Sequence, residues 1–407
     1  LEEAGAPIIG TSPDAIDLAD DRKLFKELVD ANGLRQTENG IATSYEEALG
    51  VAHSIGYPVL VRPSFVLGGR AMEIVYDDET LRRYIDEAVD ASPERPILVD
   101  KFLEDAVEVD VDAISDGEQC VIGGIMEHIE ECGVHSGDSC CTLPPWSLSD
   151  TILDEIREST RKLARALGVR GLMNVQYAIK GSRVFLIEVN PRASRTVPFV
   201  SKATGVPLAR HAARVMAGET IESLGVPDEI VPPYFSVKEP VFPFNRFPGI
   251  DIILGPEMRS TGEVMGVDPD LGAAFAKAKL GAYLTLPREG TIFISVKDDD
   301  KRAVIDIARR LALQGYKLVA TSGTYKLLQR SGVPSEMVFK IADGARPNVL
   351  DIVKNREVRL IINTPSGRGA RTDEGHIRGA AAVLNIPCIT TMKGAEALVK
   401  ALEAYQE

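Results

Sequence analysis

Residues 184–192 read Val-Phe-Leu-Ile-Glu-Val-Asn-Pro-Arg, an apolar and β-branched run broken by Glu188 and Asn190. Side chains alternate faces along a strand, so Glu188 and Asn190 point the same way. Upstream, Asn-Val-Gln-Tyr-Ala-Ile at 174–179 carries Gln176, and the intervening Lys180-Gly181-Ser182 is a hairpin turn signal. Such a hairpin presents Gln176, Glu188 and Asn190 on one surface. Three oxygen donors on a rigid surface suit a hard cation such as Mg²⁺, which takes few protein ligands and completes its shell with phosphate oxygens and water. Arg192, just past the strand, is placed for a phosphate. The spacing points to a metal–nucleotide surface. The plain alternative is a wetted hairpin face, and polar residues inside so apolar a strand, beside Pro191, weigh against it.

Four other clusters carry chemistry-bearing residue types. Arg62-Pro-Ser-Phe-Val-Leu-Gly-Gly-Arg70 combines glycines, which let backbone approach a phosphate, with arginines that neutralise it. A simple hairpin with surface arginines would read alike. In the Val-Asp-Lys-Phe-Leu run at 99–103 leading to Glu108, Leu103 and Glu108 fit the apolar slot and ribose-binding carboxylate of an adenine site, a pattern any amphipathic edge shares. Residues 127–139, Glu-His-Ile-Glu-Glu-Cys-Gly-Val-His-Ser-Gly-Asp-Ser, form a loop dense in ionisable groups. There His135 is the candidate to meet a transferring phosphoryl group as an imidazolium; a solvated acidic loop is the alternative. A zinc set of Cys132, His135 and Cys140 can be drawn, but tetrahedral sites favour shorter paired spacings. His53, His211 and His376 fall within helical patterns and read as structural.

The last cluster lies in the tail. Thr321-Ser-Gly-Thr324 follows a strand and opens a helix, where amides and hydroxyls make an anion site. Asn363-Thr-Pro-Ser-Gly367 follows another strand at the same sheet edge, where ligands of doubly wound sheets collect. With Lys340 these loops point to a phosphorylated ligand, although capping by Thr or Ser is common. No acid–base pair or nucleophile accompanies them, so binding is expected there rather than catalysis.

The elements that must position these groups divide into two patterns. Residues 6–10 read as a buried strand, 14–32, 45–55, 78–90, 150–167 and a segment near 205–217 as helices. Strands are expected at 57–63, 71–76, 97–100 and 108–114, with 119–125 pairing across Asp116-Gly117, and 127–142 as a loop. This is an α+β arrangement rich in antiparallel sheet. Residues 231–256, proline-rich but carrying Tyr234, Phe235, Phe242, Phe244 and Phe247, read as irregular structure packed on that domain. From 291 strands (291–296, 317–320, 338–340, 358–363, 387–390) alternate with helices (301–314, 324–331, 347–354, 373–384, 394–405). That alternation is α/β and implies a doubly wound parallel sheet. The boundary is expected between Tyr283 and Gly290.

Bulk properties narrow the partners. The chain has 407 residues with a net charge of −14 and a pI near 5.0. This argues against nucleic acid or an anionic membrane as the main partner. No run approaches the ~18 apolar residues of a membrane span, and no secretory signal opens the chain. Cys120, Cys132, Cys140, Cys141 and Cys388 are odd in number and form no Cys-x-x-Cys pair, as reduced thiols of a cytoplasmic protein would. The chain opens at Leu1 inside what reads as a helix end, so a fragment or processed product is expected.

Taken in order, these clusters resemble the ATP-grasp family, and more closely the C-terminal half of carbamoyl-phosphate synthase large subunits. The resemblance spans essentially the whole chain. It is carried by residues 62–70, Glu-Val-Asp-Val-Asp-Ala-Ile at 108–114, Gly-Gly-Ile-Met-Glu-His at 123–128, Gly-Val-His-Ser-Gly-Asp at 133–138, Arg-Gly-Leu-Met-Asn-Val-Gln at 170–176 and Ile-Glu-Val-Asn-Pro-Arg at 187–192. It continues through 196–205 and 254–265, and the tail resembles a methylglyoxal-synthase-like (MGS-like) regulatory domain. The resemblance implies a remnant of a preceding nucleotide-fold subdomain and its leading helix at 1–25. An ATP-grasp domain then occupies 26–282 and an MGS-like allosteric domain 283–407. The implied reaction is phosphorylation of carbamate by ATP within a glutamine-dependent ligase serving arginine and pyrimidine biosynthesis.

By position, Arg22, Arg62, Lys101, Leu103, Glu108, Gly133, Val134, His135 and Ser136 would contact ATP. Gln176, Glu188 and Asn190 would hold two Mg²⁺ or Mn²⁺ ions, and Arg192 would meet the phosphoryl or carboxy group. A K⁺ site would fall near Glu108, His128, Val134 and Ser139. Effector phosphate would meet Lys301, Thr321, Thr324, Lys340 and Asn363, with UMP or IMP as the familiar effectors. Ornithine would meet Glu130, Asp138 and Glu239. Pro365 departs from the hydroxyl residue of effector-binding relatives, and Lys101 stands where histidine also occurs. The implied partners are the N-terminal half of the same subunit and a glutaminase small subunit; self-association into a homo-oligomer stays open. So do two other readings, a different ATP-grasp carboxylate–amine ligase and a non-catalytic nucleotide-binding regulatory fragment.

Overall fold

A computed structural model describes residues 4–63, 72–91, 96–246, 252–364 and 372–405. Residues 64–70 of the glycine loop, Phe247 and residues 365–367 lie outside the described residues. The chain divides into two compact units, Leu1–Gly137 with Thr142–Pro232 and Gly255–Met258, and Asp138–Cys141 with Pro233–Leu254 and Arg259–Glu407. Among the described residues no helix is long and apolar enough to cross a membrane.

The first unit is built on two antiparallel sheets. The smaller runs Asn39–Ala42, Ile97–Lys101, Val59–Pro63, Glu73–Val75 in spatial order. Helices Tyr45–Ile55 and Asp78–Ala91 cover it, and Val59, Val61, Val75, Val99 and Leu81 fill the layer between. In the larger sheet Cys120–Glu131, Val107–Asp116, Arg170–Lys180 and Arg183–Asn190 are successive neighbours. Alternation decides its two faces. Val109, Val111, Val175, Tyr177, Val184, Leu186 and Val189 enter one core with Ile156 and Leu163 of the helix Asp150–Ala166 and Phe25 and Val29 of Arg22–Ala31. Each fully buried side chain of this size contributes about 1.5–3 kcal/mol. The opposite face carries Glu108, Asp110, Asp112, Asn174, Gln176, Glu188 and Asn190.

Several expected elements differ. The 14–32 helix is two helices, Pro13–Asp20 and Arg22–Ala31, because the Asp21 carboxylate accepts the amides of Lys23 and Leu24 at 2.9 Å and caps the second. Residues 6–10 are not a buried strand: Ile8 and Ile9 are 41% and 64% exposed, and no described strand gives them a ladder. The expected loop at 127–142 begins later, because the strand Cys120–Glu131 continues through Glu127 and His128. A further helix, Val197–Thr204, precedes Leu208–Met216.

In the second unit the supposedly irregular 231–256 stretch holds a strand, Phe235–Val241, paired antiparallel with Gly262–Asp268. Helix Leu271–Gly281 packs on that hairpin and on Met392–Ala404, so the expected boundary near 283 lies inside this unit. The remainder is a parallel sheet of spatial order Glu336–Val338, Lys317–Thr321, Thr291–Ser295, Val358–Asn363, Cys388–Ile389. The expected strand–helix alternation is present along its length.

Candidate functional site

On the polar face of the larger sheet the register aligns two rows across three strands. Asp110 stands opposite Gln176, and Gln176 opposite Glu188. One step on, Asp112 stands opposite Asn174, and Asn174 opposite Asn190. Gln176, Glu188 and Asn190 are half-buried beside fully buried neighbours, so the row forms a polar floor open on one side. A chain of bonds fixes it: Asn190 Nδ2 donates to Glu188 Oε1 at 2.9 Å, and an Arg192 guanidinium nitrogen donates to Asn190 Oδ1 at 2.9 Å. The four residues expected to act together are together.

The donor set fits a hard divalent ion. It has a carboxylate and two amide oxygens, one of which, Asn190 Oδ1, already accepts from Arg192, and Asp110 Oδ1 nearby is buried without a hydrogen-bond partner. Among the described residues no cluster of three or more His, Cys, Asp or Glu suits a metal. The expected site draws only one ligand, Glu188, from those types.

Glu108 lies one row beyond, almost fully buried. Its Oε2 accepts the Gly133 amide at 3.3 Å, and His128 Nδ1 is 3.9 Å from Oε1. Burial pushes its carboxyl up to about 7; His128 and the Gly133 amide pull it down, while Asp110 and Glu188 add to the rise. Gly133 has φ +95°, and a Cβ there would sit 2.8 Å from the Phe102 ring, so this turn requires glycine. His128 is buried with Nε2 3.2 Å from Asp110 Oδ2. The Cys132 thiol is raised well above its ordinary value by burial and by Glu108, the reverse of what a zinc thiolate needs.

His135 is positioned by backbone. Its amide donates to the Gly255 carbonyl at 2.8 Å, and its Nδ1 accepts the Gly137 amide at 3.0 Å. With Nδ1 accepting, Nε2 is the ring nitrogen left to donate in this geometry. Val134 and Ser136 flank it, half-buried.

On the smaller sheet Arg62 Nε is 3.5 Å from Asp100 Oδ2; burial raises the Asp100 carboxyl and Arg62 opposes that. Lys101 Nζ donates to the carbonyls of Gly56 and Tyr57 at 2.8 and 2.9 Å, so part of its capacity is spent on this turn. Leu103 follows, half-buried, and Arg22 opens the Arg22–Ala31 helix.

Sequence reasoning missed Asp112. Fully buried, it accepts Asn174 Nδ2 at 3.0 Å, Ser194 Oγ at 2.7 Å and Thr196 Oγ1 at 2.6 Å. Burial pushes its carboxyl up to about 6; those three donors lower it and Asp110 raises it further. The Glu-Val-Asp-Val-Asp alternation was the available signal.

In the second unit the expected anion-binding residues gather at the carboxyl ends of the parallel strands. Thr321 starts helix Ser322–Arg330 without a side-chain capping bond; its hydroxyl meets Ser295 Oγ at 3.0 Å. Thr324 Oγ1 accepts the Val296 amide at 3.4 Å. Lys301 pairs with Asp298, holding that carboxyl below its usual value, with Lys340 adding to the effect. Asn363 is tied at both ends, donating to the Ser295 carbonyl and accepting from the fully buried Arg378, each at 3.0 Å. Arg378 had no sequence signal beyond a charge inside a helix.

Two of the expected ornithine contacts, Asp138 and Glu239, are engaged within the second unit. Asp138 accepts the amides of Arg259 and Ser260 at 2.7 and 2.8 Å. Glu239 Oε1 accepts from Lys279 at 2.7 Å, while Oε2 is buried without a hydrogen-bond partner. Glu130 belongs to the first unit, near the end of Cys120–Glu131, and Ser139 is a buried residue of the second.

Residues 21–224 match a family model described as "Carbamoyl-phosphate synthase L chain, ATP binding domain", and residues 303–390 one described as "MGS-like domain". The carbamoyl phosphate synthase large chain of Archaeoglobus fulgidus is 56% identical over 407 residues, covering 100% of this chain and 38% of the relative. That of Pseudomonas aeruginosa is 57% identical over 403 residues, covering 99% and 38%. The chain therefore spans 38% of the length of these relatives. Among solved structures, the biotin carboxylase domain of Hydrogenobacter thermophilus 2-oxoglutarate carboxylase, in complex with MgADP and bicarbonate, has a TM-score of 0.54 at 21% identity over 67% of each chain. Campylobacter jejuni biotin carboxylase has 0.51 at 20% identity over 59% of this chain and 55% of that one.

Proposed function

The chain belongs to the carbamoyl-phosphate synthase large-chain family, with that family's ATP-grasp fold and an MGS-like domain, and we propose that it is the segment that phosphorylates carbamate. A carbamate oxygen attacks the γ-phosphorus of ATP, the bond to the β–γ bridging oxygen breaks, and ADP and carbamoyl phosphate leave. Such transfer needs positioning and charge neutralisation more than covalent chemistry. Gln176, Glu188 and Asn190 would hold two Mg²⁺ or Mn²⁺ ions, which clamp and neutralise the phosphates when bound. Arg192, fixed on Asn190, holds the transferring phosphoryl or the carboxy group. His135 donates its Nε2 proton toward the phosphates, and Arg62 adds charge. Leu103, Glu108 and the 133–136 turn bind the nucleoside, with Lys101 and Arg22 at the margin. Glu108, His128 and Val134, all of the first unit, are the candidate K⁺ ligands.

In this reading the chain works with the N-terminal half of a longer large subunit and a glutaminase small subunit, in arginine and pyrimidine synthesis. The cluster of Lys301, Thr321, Thr324, Lys340 and Asn363 takes a phosphorylated effector such as UMP or IMP. Asp138 and Glu239, within the second unit, are the ornithine candidates.

The observation that carries the proposal is the in-register placement of Gln176 against Glu188, bonded through Asn190 to Arg192. The test is ATP formation from ADP and carbamoyl phosphate by this chain with Mg²⁺. Glu188→Gln should lower the rate by about 10²-fold or more, and full activity in that variant refutes the assignment.

A further inference from the structure

We infer that Asp112 is a positioning residue for Arg192, anchoring the 191–196 turn so that the guanidinium stays on Asn190. The inference rests on the role given to Arg192 above. Asp112, Asn174 and Asn190 align across three adjacent strands, so the buried carboxylate and the amide that meets Arg192 share one face. Ser194 and Thr196 reach down from the turn to the two carboxylate oxygens, and their hydroxyls lie 2.8 Å apart. With both hydroxyl protons given to Asp112, the turn is closed onto the strand beneath. Arg192 stands two residues before Ser194; its amide donates to the Asn190 carbonyl at 2.8 Å and its guanidinium to the Ala193 carbonyl at 3.2 Å.

The donors to Asp112 are an amide and two hydroxyls, all neutral. For stability alone this is an expensive anchor, since a buried carboxylate without a cation loses hydration that neutral donors only partly replace. What a carboxylate supplies instead is direction. Charge-assisted bonds are shorter and stronger than neutral ones, and both hydroxyl rotors must point inward. Arg192 is exposed and long. Its reach over the metal-binding face is set by the backbone that carries it, and an error of about 1 Å there costs about a hundredfold in rate.

The experiment is a double-mutant cycle on the full chain, Asp112→Ala and Arg192→Ala, read by kcat and KM for ADP in ATP formation and by amide hydrogen exchange across 192–196. The expected result is a fall in kcat of about a hundredfold for each single variant, an unchanged KM for Asp112→Ala, and a double variant no slower than Arg192→Ala. Exchange at 192–196 should quicken while that of Val107–Asp116 stays as in the parent. Multiplying effects in the double variant, or parent kcat in Asp112→Ala, overturn the inference. Should Arg192→Ala itself keep full activity, the role of Arg192 fails separately, and unchanged exchange at 192–196 in Asp112→Ala then overturns the anchoring. If Asp112→Ala does not fold, Ser194→Ala removes one half-buried donor and is judged by the same two readouts.

Discussion

Replacing Asp112 by asparagine should change how the stability of the first unit responds to pH. The native carboxyl titrates near 6, against an ordinary value of 3.8. Between those values the native state holds a proton that the unfolded state has lost, so stability falls as pH rises through the interval. At ~1.36 kcal/mol per pH unit the loss amounts to about 3 kcal/mol, complete above pH 6. Asparagine has no such titration. Its amide alters the bonds to Ser194 and Thr196, whose hydroxyls can turn to accept, at a fixed cost of about 1 kcal/mol. That cost is the same at every pH and cancels in the comparison. The stability of Asp112→Asn relative to the parent should therefore rise by about 2 kcal/mol between pH 4 and pH 7. Urea unfolding at a series of pH values measures this, followed by fluorescence of Trp146, the single tryptophan, which lies in the first unit. Curves that run parallel, within about 1 kcal/mol, would refute the account of Asp112 as a buried, proton-linked carboxylate.

Three further outcomes concern the second unit. Gly272→Ala would place a Cβ 2.3 Å from the Lys400 carbonyl oxygen, a backbone atom that no rotamer change can move. The two packed helices must separate, at about 1–3 kcal/mol or more, and calorimetry should show the unit melting earlier; an unchanged transition contradicts this packing. Lys279→Met strands the buried Glu239 carboxylate and should cost about 3–5 kcal/mol, most of it recovered in Lys279→Met/Glu239→Leu; denaturation of both variants checks it. Lys301→Ala and Thr324→Val should each weaken UMP binding by about tenfold, measured by calorimetry with IMP alongside, and unaltered affinity in both removes these residues from the effector site.

What could be read from sequence followed from local periodicity. Gln176, Glu188 and Asn190 could be placed on one surface because period-two alternation and a Lys-Gly-Ser turn leave little freedom in a hairpin. The tail was legible for a similar reason, since short apolar strands between amphipathic helices admit few arrangements. The failures had identifiable physical causes. Pro240 demotes the Phe235–Val241 strand by the usual rule, yet it sits near the strand's end, opposite Glu263, where a missing amide costs little. Val197–Thr204 is short and rich in β-branched residues, so propensity hid a helix that tertiary packing supports. Asp21 split a long helical pattern because a capping carboxylate starts a new helix wherever the chain bends. Asp112 and Arg378 were missed because their partners lie 62 to 84 positions away in one case and 15 in the other. No local window of sequence joins Asp112 to its partners.

The alternation within Val107–Asp116, Arg170–Lys180 and Arg183–Asn190 has a consequence for how this protein can change over generations. Alternate positions of the same strands answer to different demands, hydrocarbon packing on one face and polar chemistry on the other, and a register shift inside Arg183–Asn190 changes the parity there, with Val184 and Leu186 facing the core before it and Val189 after it. Insertion or deletion of a single residue would exchange the two sets wholesale. Point substitutions, by contrast, can tune one set with little effect on the other. Variation should therefore accumulate as replacements within each face, and length changes should be confined to the turns. A saturation library of these strands should show tolerance oscillating with a period of two, with hydrophobic swaps surviving at Val109, Val111 and Val175 and almost none at Gln176 or Glu188.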